Sequence, residues 1–150
     1  MTSRADTVPY AVLLTLLAAL FLARVAGQAV VAFGNVSFLP GMSHWYSGLL
    51  PYPLLLPVQV AILVLQTLVC AQFARGRGAL VAPRRPRLGR VLIAFAAVYA
   101  AGMVVRYALT MGWNPERRWF GPGTIPSVFH VLLAAYIATV GHYHATRAAQ

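Results

Sequence analysis

The chain has 150 residues, of which 60% are hydrophobic and only 9% are charged. A soluble domain carries roughly 25% charged residues, so the composition argues against a soluble protein and for one embedded in a membrane. The net charge of +10 comes from twelve arginines and two acids. Half of the arginines stand in one loop between apolar segments, a position that membrane topology explains, so nucleic acid is not an expected partner.

Residues 9–33 form the first predicted membrane span, since about 20 consecutive apolar residues cross a hydrocarbon core of ~30 Å. A cleaved signal peptide is the alternative, but its apolar region is usually only ~7–15 residues long. Residues 35–51 follow without a formal charge and with several Gly, Pro and Ser residues. This composition predicts a loop against the outer surface, with Trp45 and Tyr46 as interfacial aromatic side chains.

Residues 53–73 form the second predicted span, and the prolines that crowd its start are tolerated in the first turn of a helix. The next segment, residues 75–90, contains six arginines, two prolines and three glycines. Short arginine-rich loops remain on the cytoplasmic side, so we expect this loop to fix the topology. Binding of anionic lipid headgroups is an alternative role for the same arginines.

Residues 91–111 and 125–143 form the third and fourth predicted spans, and Pro126 in the first turn of the fourth suits a helix start. Four antiparallel helices with short connections predict a single membrane domain over residues 1–150. The predicted fold class is all-α, a four-helix transmembrane bundle with the N- and C-termini cytoplasmic. The expected location is a bacterial cytoplasmic (inner) membrane, with the lipid bilayer as the first partner.

One polar side chain falls at a similar depth in each predicted span. At a rise of ~1.5 Å per residue, these side chains lie within roughly 3–8 Å of the midplane, on its outer side: Arg24, Gln59, Arg106 and His130. Gln28 shares a helix face with Arg24, because the two are four residues apart. Since polar side chains are costly in lipid, these faces are expected to turn towards one another inside the bundle.

The intramembrane arginines call for an anion, since guanidinium does not deprotonate in proteins and costs ~2.5–3.5 kcal/mol at a helix centre. The predicted spans contain no acid, and the nearest one, Glu116 in the outer loop, stands beside Arg117 and Arg118. One hypothesis is an external anion: a ligand carboxylate or phosphate, a lipid headgroup, a haem propionate or an acid of a partner subunit. The alternative is a purely architectural network, in which the arginines snorkel or bond to helix carbonyls and glutamines.

The leading functional hypothesis is a non-enzymatic membrane protein that binds an anionic or quinone-like amphiphile in an outer-half cavity of the bundle. The predicted lining of this cavity consists of Arg24, Gln28, Gln59, Arg106 and His130, with Glu116 at the mouth. The outer loop around Glu116 is then a lid, or alternatively an aromatic and arginine anchor at the headgroups. The second hypothesis is an accessory subunit, homo- or hetero-oligomeric, whose arginines pair with acids of a larger complex.

The third hypothesis is an enzyme that uses His130, either by binding haem or by modifying lipids. His130 and His144 are fourteen residues apart, a rise of about 21 Å along one helix that stacked haems would suit. However, the first three predicted spans contain no facing histidine, so a second copy or His44 would have to supply the other ligands. No catalytic, nucleotide-binding or metal-binding motif is recognisable, so the sequence predicts neither catalytic residues nor a metal site.

Overall fold

The computed structural model describes residues 4–34, 36–45, 50–114 and 124–146. These residues contain no strand and form the helices α1 (Arg4–Gly34), α2 (Met42–Trp45), α3 (Tyr52–Arg75), α4 (Pro86–Trp113) and α5 (Thr124–Ala145). All but α2 are long and apolar enough to cross a membrane. The prediction of an all-helical chain with four helices of spanning length is therefore confirmed. Insertion into a membrane and the side on which the termini lie stay predictions.

The long helices extend beyond the predicted spans. α1 begins at Arg4, whose carbonyl oxygen accepts a hydrogen bond from the Thr7 hydroxyl at 2.9 Å. α4 begins at Pro86, inside the arginine-rich segment, because a proline has the backbone angle that the first turn of a helix needs. The four-residue helix α2 lies in a segment that the sequence predicts as a loop. The basic loop between α3 and α4 is thereby shortened to residues 76–85.

Successive long helices run in opposite directions, so that α1 and α4 start where α3 and α5 end. Contacts at this end join the start of α1 to the end of α5, with 2.9 Å between the Tyr10 hydroxyl and His142 Nδ1. They also join the basic loop to the residue after α5, with 3.1 Å between Arg84 Nη1 and the Thr146 carbonyl oxygen. We call this the basic end of the molecule, and the other the opposite end.

The helices pack as an open row and not as a closed ring. α1 packs against α3 on one side and α5 on the other, and α5 packs against α4. Within the described ranges, no Cα of α3 lies within 8 Å of a Cα of α4 or α5. A gap therefore separates α3 from α4, and it becomes important for the site described below.

α4 and α5 approach closely through small residues. A Cβ added to Gly89 would lie 2.4 Å from the backbone nitrogen of Ala145 and 2.6 Å from the carbonyl oxygen of Gly141. Ala96 and Ala134, each seven residues away from one of these glycines, are also buried. In lipid, helices associate through such close packing because burying apolar surface there gains nothing over the lipid itself.

Aromatic side chains close the basic end. Tyr143 is fully buried and packs edge-on against Phe73 and Tyr10, with ring centroids 4.8 and 5.1 Å away. Its hydroxyl donates to the carbonyl oxygen of Val81 at 3.1 Å, and the Arg84 guanidinium lies 4.4 Å from its ring centroid. The basic loop is therefore folded onto the helix ends, where the contacts of Val81 and Arg84 with Tyr143 hold it.

Candidate functional site

A cavity of about 180 Å³ lies between the four long helices, on the half of the molecule towards the opposite end. Its polar lining includes Arg24 of α1, Gln59 of α3, and Tyr99 of α4 with His130 of α5. By helical rise, Arg24, Gln59 and His130 each lie about 7 Å beyond the middle of their own helix. The rest of the lining is mostly apolar: Phe21, Leu50, Leu55, Val58, Ile62, Pro126, Phe129 and Leu133.

Arg24 is the charged group of this cavity. Its side chain is only 7% exposed, and Nη2 donates to the carbonyl oxygen of Trp45 at 3.3 Å. Its Nε is buried and has no hydrogen-bond partner among the described residues. The acid among the described residues is Asp6. It stands eighteen residues before Arg24 on the same helix, about 27 Å away along the axis. The described part of the chain therefore gives this guanidinium no neighbouring carboxylate.

A chain of hydrogen bonds connects α3, α1 and the segment before α3. Gln59 Nε2 donates to Gln28 Oε1 at 3.1 Å, and Gln28 Nε2 donates to the Trp45 carbonyl oxygen at 3.2 Å. Trp45 Nε1 in turn donates to the Pro40 carbonyl oxygen at 2.9 Å. Gln28 is fully buried, so it supports the cavity from behind and does not line it. Gln59 Oε1 is left without a partner among the described residues.

The sequence predicts Trp45 as an aromatic side chain at the surface. In the structure it is only 9% exposed and packs against α1. The residue that makes room for it is Gly27, where a Cβ would lie 2.6 Å from the far carbon of the indole ring. A glycine next to Gln28 on the polar face of α1 is the signal from which this close approach could have been inferred.

Replacing Gly27 by Ala is expected to push the Trp45 ring off α1 and lower the free energy of unfolding by about 1–2 kcal/mol. The matched control is Gly34→Ala on the same helix, where a Cβ meets nothing nearer than 3.5 Å. Fluorescence of Trp45, in a background with Trp113 and Trp119 changed to Phe, measures the ring's exposure to a quencher. An unchanged Trp45 signal in Gly27→Ala would contradict this packing.

Tyr99 and His130 form a second polar pair in the cavity wall. The Tyr99 hydroxyl and His130 Nδ1 share a hydrogen bond, and the rings meet edge-on with centroids 5.8 Å apart. His130 is half-buried. When the Tyr99 hydroxyl is the donor, the ring proton stays on His130 Nε2, which is then a hydrogen-bond donor available to a ligand.

The structure brings together most, but not all, of the predicted site residues. Arg24, Gln59 and His130 share the cavity, and Gln28 is bonded to Gln59. Arg106 is half-buried on α4 and is not part of the lining. Glu116 and most of the predicted lid lie outside the described residues. Whether any of these side chains binds a ligand stays a prediction.

The described residues include no group of three or more His, Cys, Asp or Glu side chains that could hold a metal ion. The fold is that of an all-helical chain, and its four long helices are of the length and apolarity that a multi-pass membrane protein needs. No family model matches the chain, and no curated protein or solved structure is significantly similar to it. Function is therefore inferred from the site itself.

Proposed function

We propose that this protein is a multi-pass protein of the bacterial inner membrane that binds the headgroup of an anionic or quinone-like amphiphile between its helices. The observation that carries the proposal is Arg24, a buried guanidinium that lines a cavity and has no acidic partner among the described residues. A bound headgroup would supply the missing anion.

The polar atoms of the cavity suit an oxygen-rich headgroup. Arg24 Nε is a donor without a partner among the described residues, and a carboxylate or phosphate oxygen is the acceptor that guanidinium prefers. Gln59 Oε1 is an acceptor without such a partner, and His130 Nε2 is a second donor when the Tyr99 hydroxyl donates to Nδ1. Arg24 Nε and Gln59 Oε1 are not accessible to water, so a bound headgroup must displace the side chains that cover them. An anion is favoured over a neutral quinone, since only an anion also neutralises the charge of Arg24.

The size of the cavity favours a headgroup over a complete ligand. Its volume of about 180 Å³ is below the ~300–1,000 Å³ typical of sites that enclose a whole small molecule. A haem macrocycle would not fit without separating the helices. The proposed ligand is therefore an amphiphile whose polar head enters the cavity while its apolar tail stays outside.

The gap between α3 and α4 offers the tail a way out into lipid. The two helices contribute Gln59 and Tyr99 to the lining, yet their backbones are not in contact anywhere in the described ranges. Nearer the basic end, the Tyr136 hydroxyl donates to the Gln66 carbonyl oxygen at 2.9 Å and ties α5 to α3. This contact bounds the cavity on that side, so the tail is expected to leave sideways between α3 and α4.

Native mass spectrometry of the protein released from mild detergent tests the proposal. Wild type is compared with Arg24→Gln and with Arg106→Gln, which removes the other predicted intramembrane arginine but no part of the cavity lining. We expect wild type and Arg106→Gln to retain an additional mass, and Arg24→Gln to retain at least tenfold less. A lost charge-assisted hydrogen bond of ~1.5–3 kcal/mol corresponds to a change of this size.

The retained mass also identifies the ligand class, since a fatty acid, a phospholipid and a quinone differ plainly in mass. Bare wild-type protein would overturn the proposal. So would a mass that Arg24→Gln retains as well as wild type does.

α4 supports an accessory subunit as the second candidate function. Among the described helices it packs only against α5, and Gly89 and Ala96 are its only buried residues. Arg106 lies on this sparsely covered helix, where an acid of a partner subunit could reach it. A partner protein that co-purifies with wild type and Arg24→Gln, but not with Arg106→Gln, would favour this function. The third hypothesis, an enzyme that uses His130, stays a prediction.

A further inference from the structure

The start of α4 carries a second cavity, unrelated to the one around Arg24. Arg85, Arg87 and Arg90, together with Pro86, line an open surface hollow of about 420 Å³ at the basic end. All three arginine side chains are exposed. We call this feature the arginine hollow.

The backbone around the arginine hollow is held in place. The amide N–H of Arg85 donates to His144 Nδ1 at 3.3 Å, and His144 is only 1% exposed. The preceding residue, Arg84, is fixed on Tyr143 and bonded through Nη1 to the Thr146 carbonyl oxygen at 3.1 Å. A loop that only sets topology needs positive charge but no fixed geometry. The three exposed arginines are therefore carried on a backbone that is fixed against the end of α5.

The chemistry of the arginine hollow is that of a phosphate site. Three arginine side chains line it, and the planar fork of a guanidinium group matches the oxygens of a phosphate. α4 also begins there, and its N-terminus has no side-chain cap, so its dipole adds to the attraction for an anion. The positive charges, the fixed backbone and the hollow are thus all compatible with a bound phosphate group.

The surface of α4 next to the arginine hollow favours the phosphate of a lipid over a soluble phosphate as the ligand. The 28 residues of α4 rise about 42 Å, which exceeds a hydrocarbon core of ~30 Å, so its first turns reach the headgroup level. Val91, Phe95 and Val98 follow Arg87 at helical spacing along one face and are 63%, 56% and 73% exposed. This apolar stripe continues for about 16 Å beyond Arg87, in line with an acyl chain.

We infer that the arginine hollow binds the phosphate of an anionic phospholipid, whose acyl chain lies along Val91, Phe95 and Val98. The inference shares membrane insertion with the proposed function, but it involves neither Arg24 nor the cavity between the helices. The arginine-rich segment then does more than orient the protein, because it selects the lipid that surrounds α4.

Lipid titrations followed by native mass spectrometry test this inference on delipidated full-length protein. The added lipid is phosphatidylglycerol, which is anionic, or phosphatidylcholine, which is zwitterionic. The test variant is Arg87→Gln/Arg90→Gln. The matched control is Arg75→Gln/Arg77→Gln, which removes two exposed charges at the same end of the molecule but none from the arginine hollow. We expect wild type to bind phosphatidylglycerol at least tenfold more tightly than phosphatidylcholine. The test variant should lose this preference and the control should keep it within twofold.

Equal binding of the two lipids by wild type would overturn the inference, and so would an equal loss in the test and control variants, which would indicate unspecific attraction. Inorganic phosphate forms a separate arm. If phosphate alone raises the melting temperature of wild type but not of Arg87→Gln/Arg90→Gln, and phosphatidylglycerol does not, the arginine hollow is a site for a soluble anion.

Two further variants keep the test decisive. Arg87→Lys/Arg90→Lys preserves the charge that orients the protein and should lose only part of the lipid preference, since lysine lacks the planar fork. It replaces the glutamine variant if that protein fails to insert. In an Arg24→Gln background, which removes any lipid held by the cavity between the helices, adding Arg87→Gln/Arg90→Gln should abolish the same preference for phosphatidylglycerol, so a failure at that cavity is distinguishable from a failure here.

Discussion

Replacing Gly89 by Ala is expected to lower stability more than the same change at any other glycine that the structure describes. The new Cβ would lie 2.4, 2.6 and 2.8 Å from backbone atoms of Ala145, Gly141 and His144. Backbone atoms cannot move aside as a flexible side chain can, so α4 and α5 must separate. We expect the free energy of unfolding to fall by about 3 kcal/mol, at the upper end of the range for overpacking.

Gly102→Ala on the same helix is the matched control, because a Cβ there meets nothing within 4 Å. Alanine is a better helix former than glycine by roughly 0.5–1 kcal/mol, so this variant is expected to be neutral or slightly more stable. Unfolding by a denaturing detergent, followed by circular dichroism, measures both. Similar stabilities for the two variants would show that α4 and α5 do not cross at Gly89.

The long helices could be predicted because each is a run of apolar residues of spanning length, and such a run has few alternatives. Their ends could not. α4 starts at Pro86, in a segment too charged for hydropathy to assign to a helix, and the Arg85 amide before it is bonded to His144, 59 residues away. α2 was missed for a similar reason, since its position depends on Trp45 packing against Gly27.

The site prediction rests on depth along each helix, and depth explains the successes but not the failure. Arg24, Gln59 and His130 lie at one level and share the cavity. Tyr99, at the middle of α4, also lines it. Arg106 lies about 10 Å beyond that middle, within about 3 Å of the level of Arg24, yet it is not part of the lining, so depth does not decide which side chain of α4 enters the cavity. The acceptor for Arg24 is a backbone carbonyl, a group that every residue carries and that no sequence pattern can single out.

The relation between stability and binding at Arg24 gives the second large prediction. In ligand-free protein, Arg24→Met is expected to raise the free energy of unfolding by about 1 kcal/mol or more. The variant removes a buried charge that has no acidic neighbour in the described structure and replaces it with a shorter, unbranched apolar chain. The Trp45 carbonyl that Arg24 contacts stays hydrogen-bonded, because Gln28 Nε2 also donates to it.

Gln28→Met provides the contrast, and its expected effect has the opposite sign. Gln28 accepts from Gln59 and donates to Trp45, so its loss leaves a buried amide group of Gln59 unpaired. An unsatisfied buried polar group costs about 1–3 kcal/mol, and the free energy of unfolding should fall by that amount. Denaturing-detergent titrations of protein that mass spectrometry shows to be bare measure both variants under the same conditions.

The opposite expected changes in the free energy of unfolding, for Arg24→Met and Gln28→Met, distinguish an arginine that is kept for ligand binding from one that stabilises the fold. A residue kept for its ligand destabilises the empty protein, and the ligand restores the difference when it binds only the folded state. Wild type with its ligand should therefore unfold at a higher detergent concentration than ligand-free Arg24→Met. Adding the ligand to Arg24→Met should leave its unfolding midpoint unchanged. If Arg24→Met lowers the stability of the ligand-free protein as Gln28→Met does, Arg24 belongs to the network that holds Trp45 on α1, and the proposed binding function must be given up.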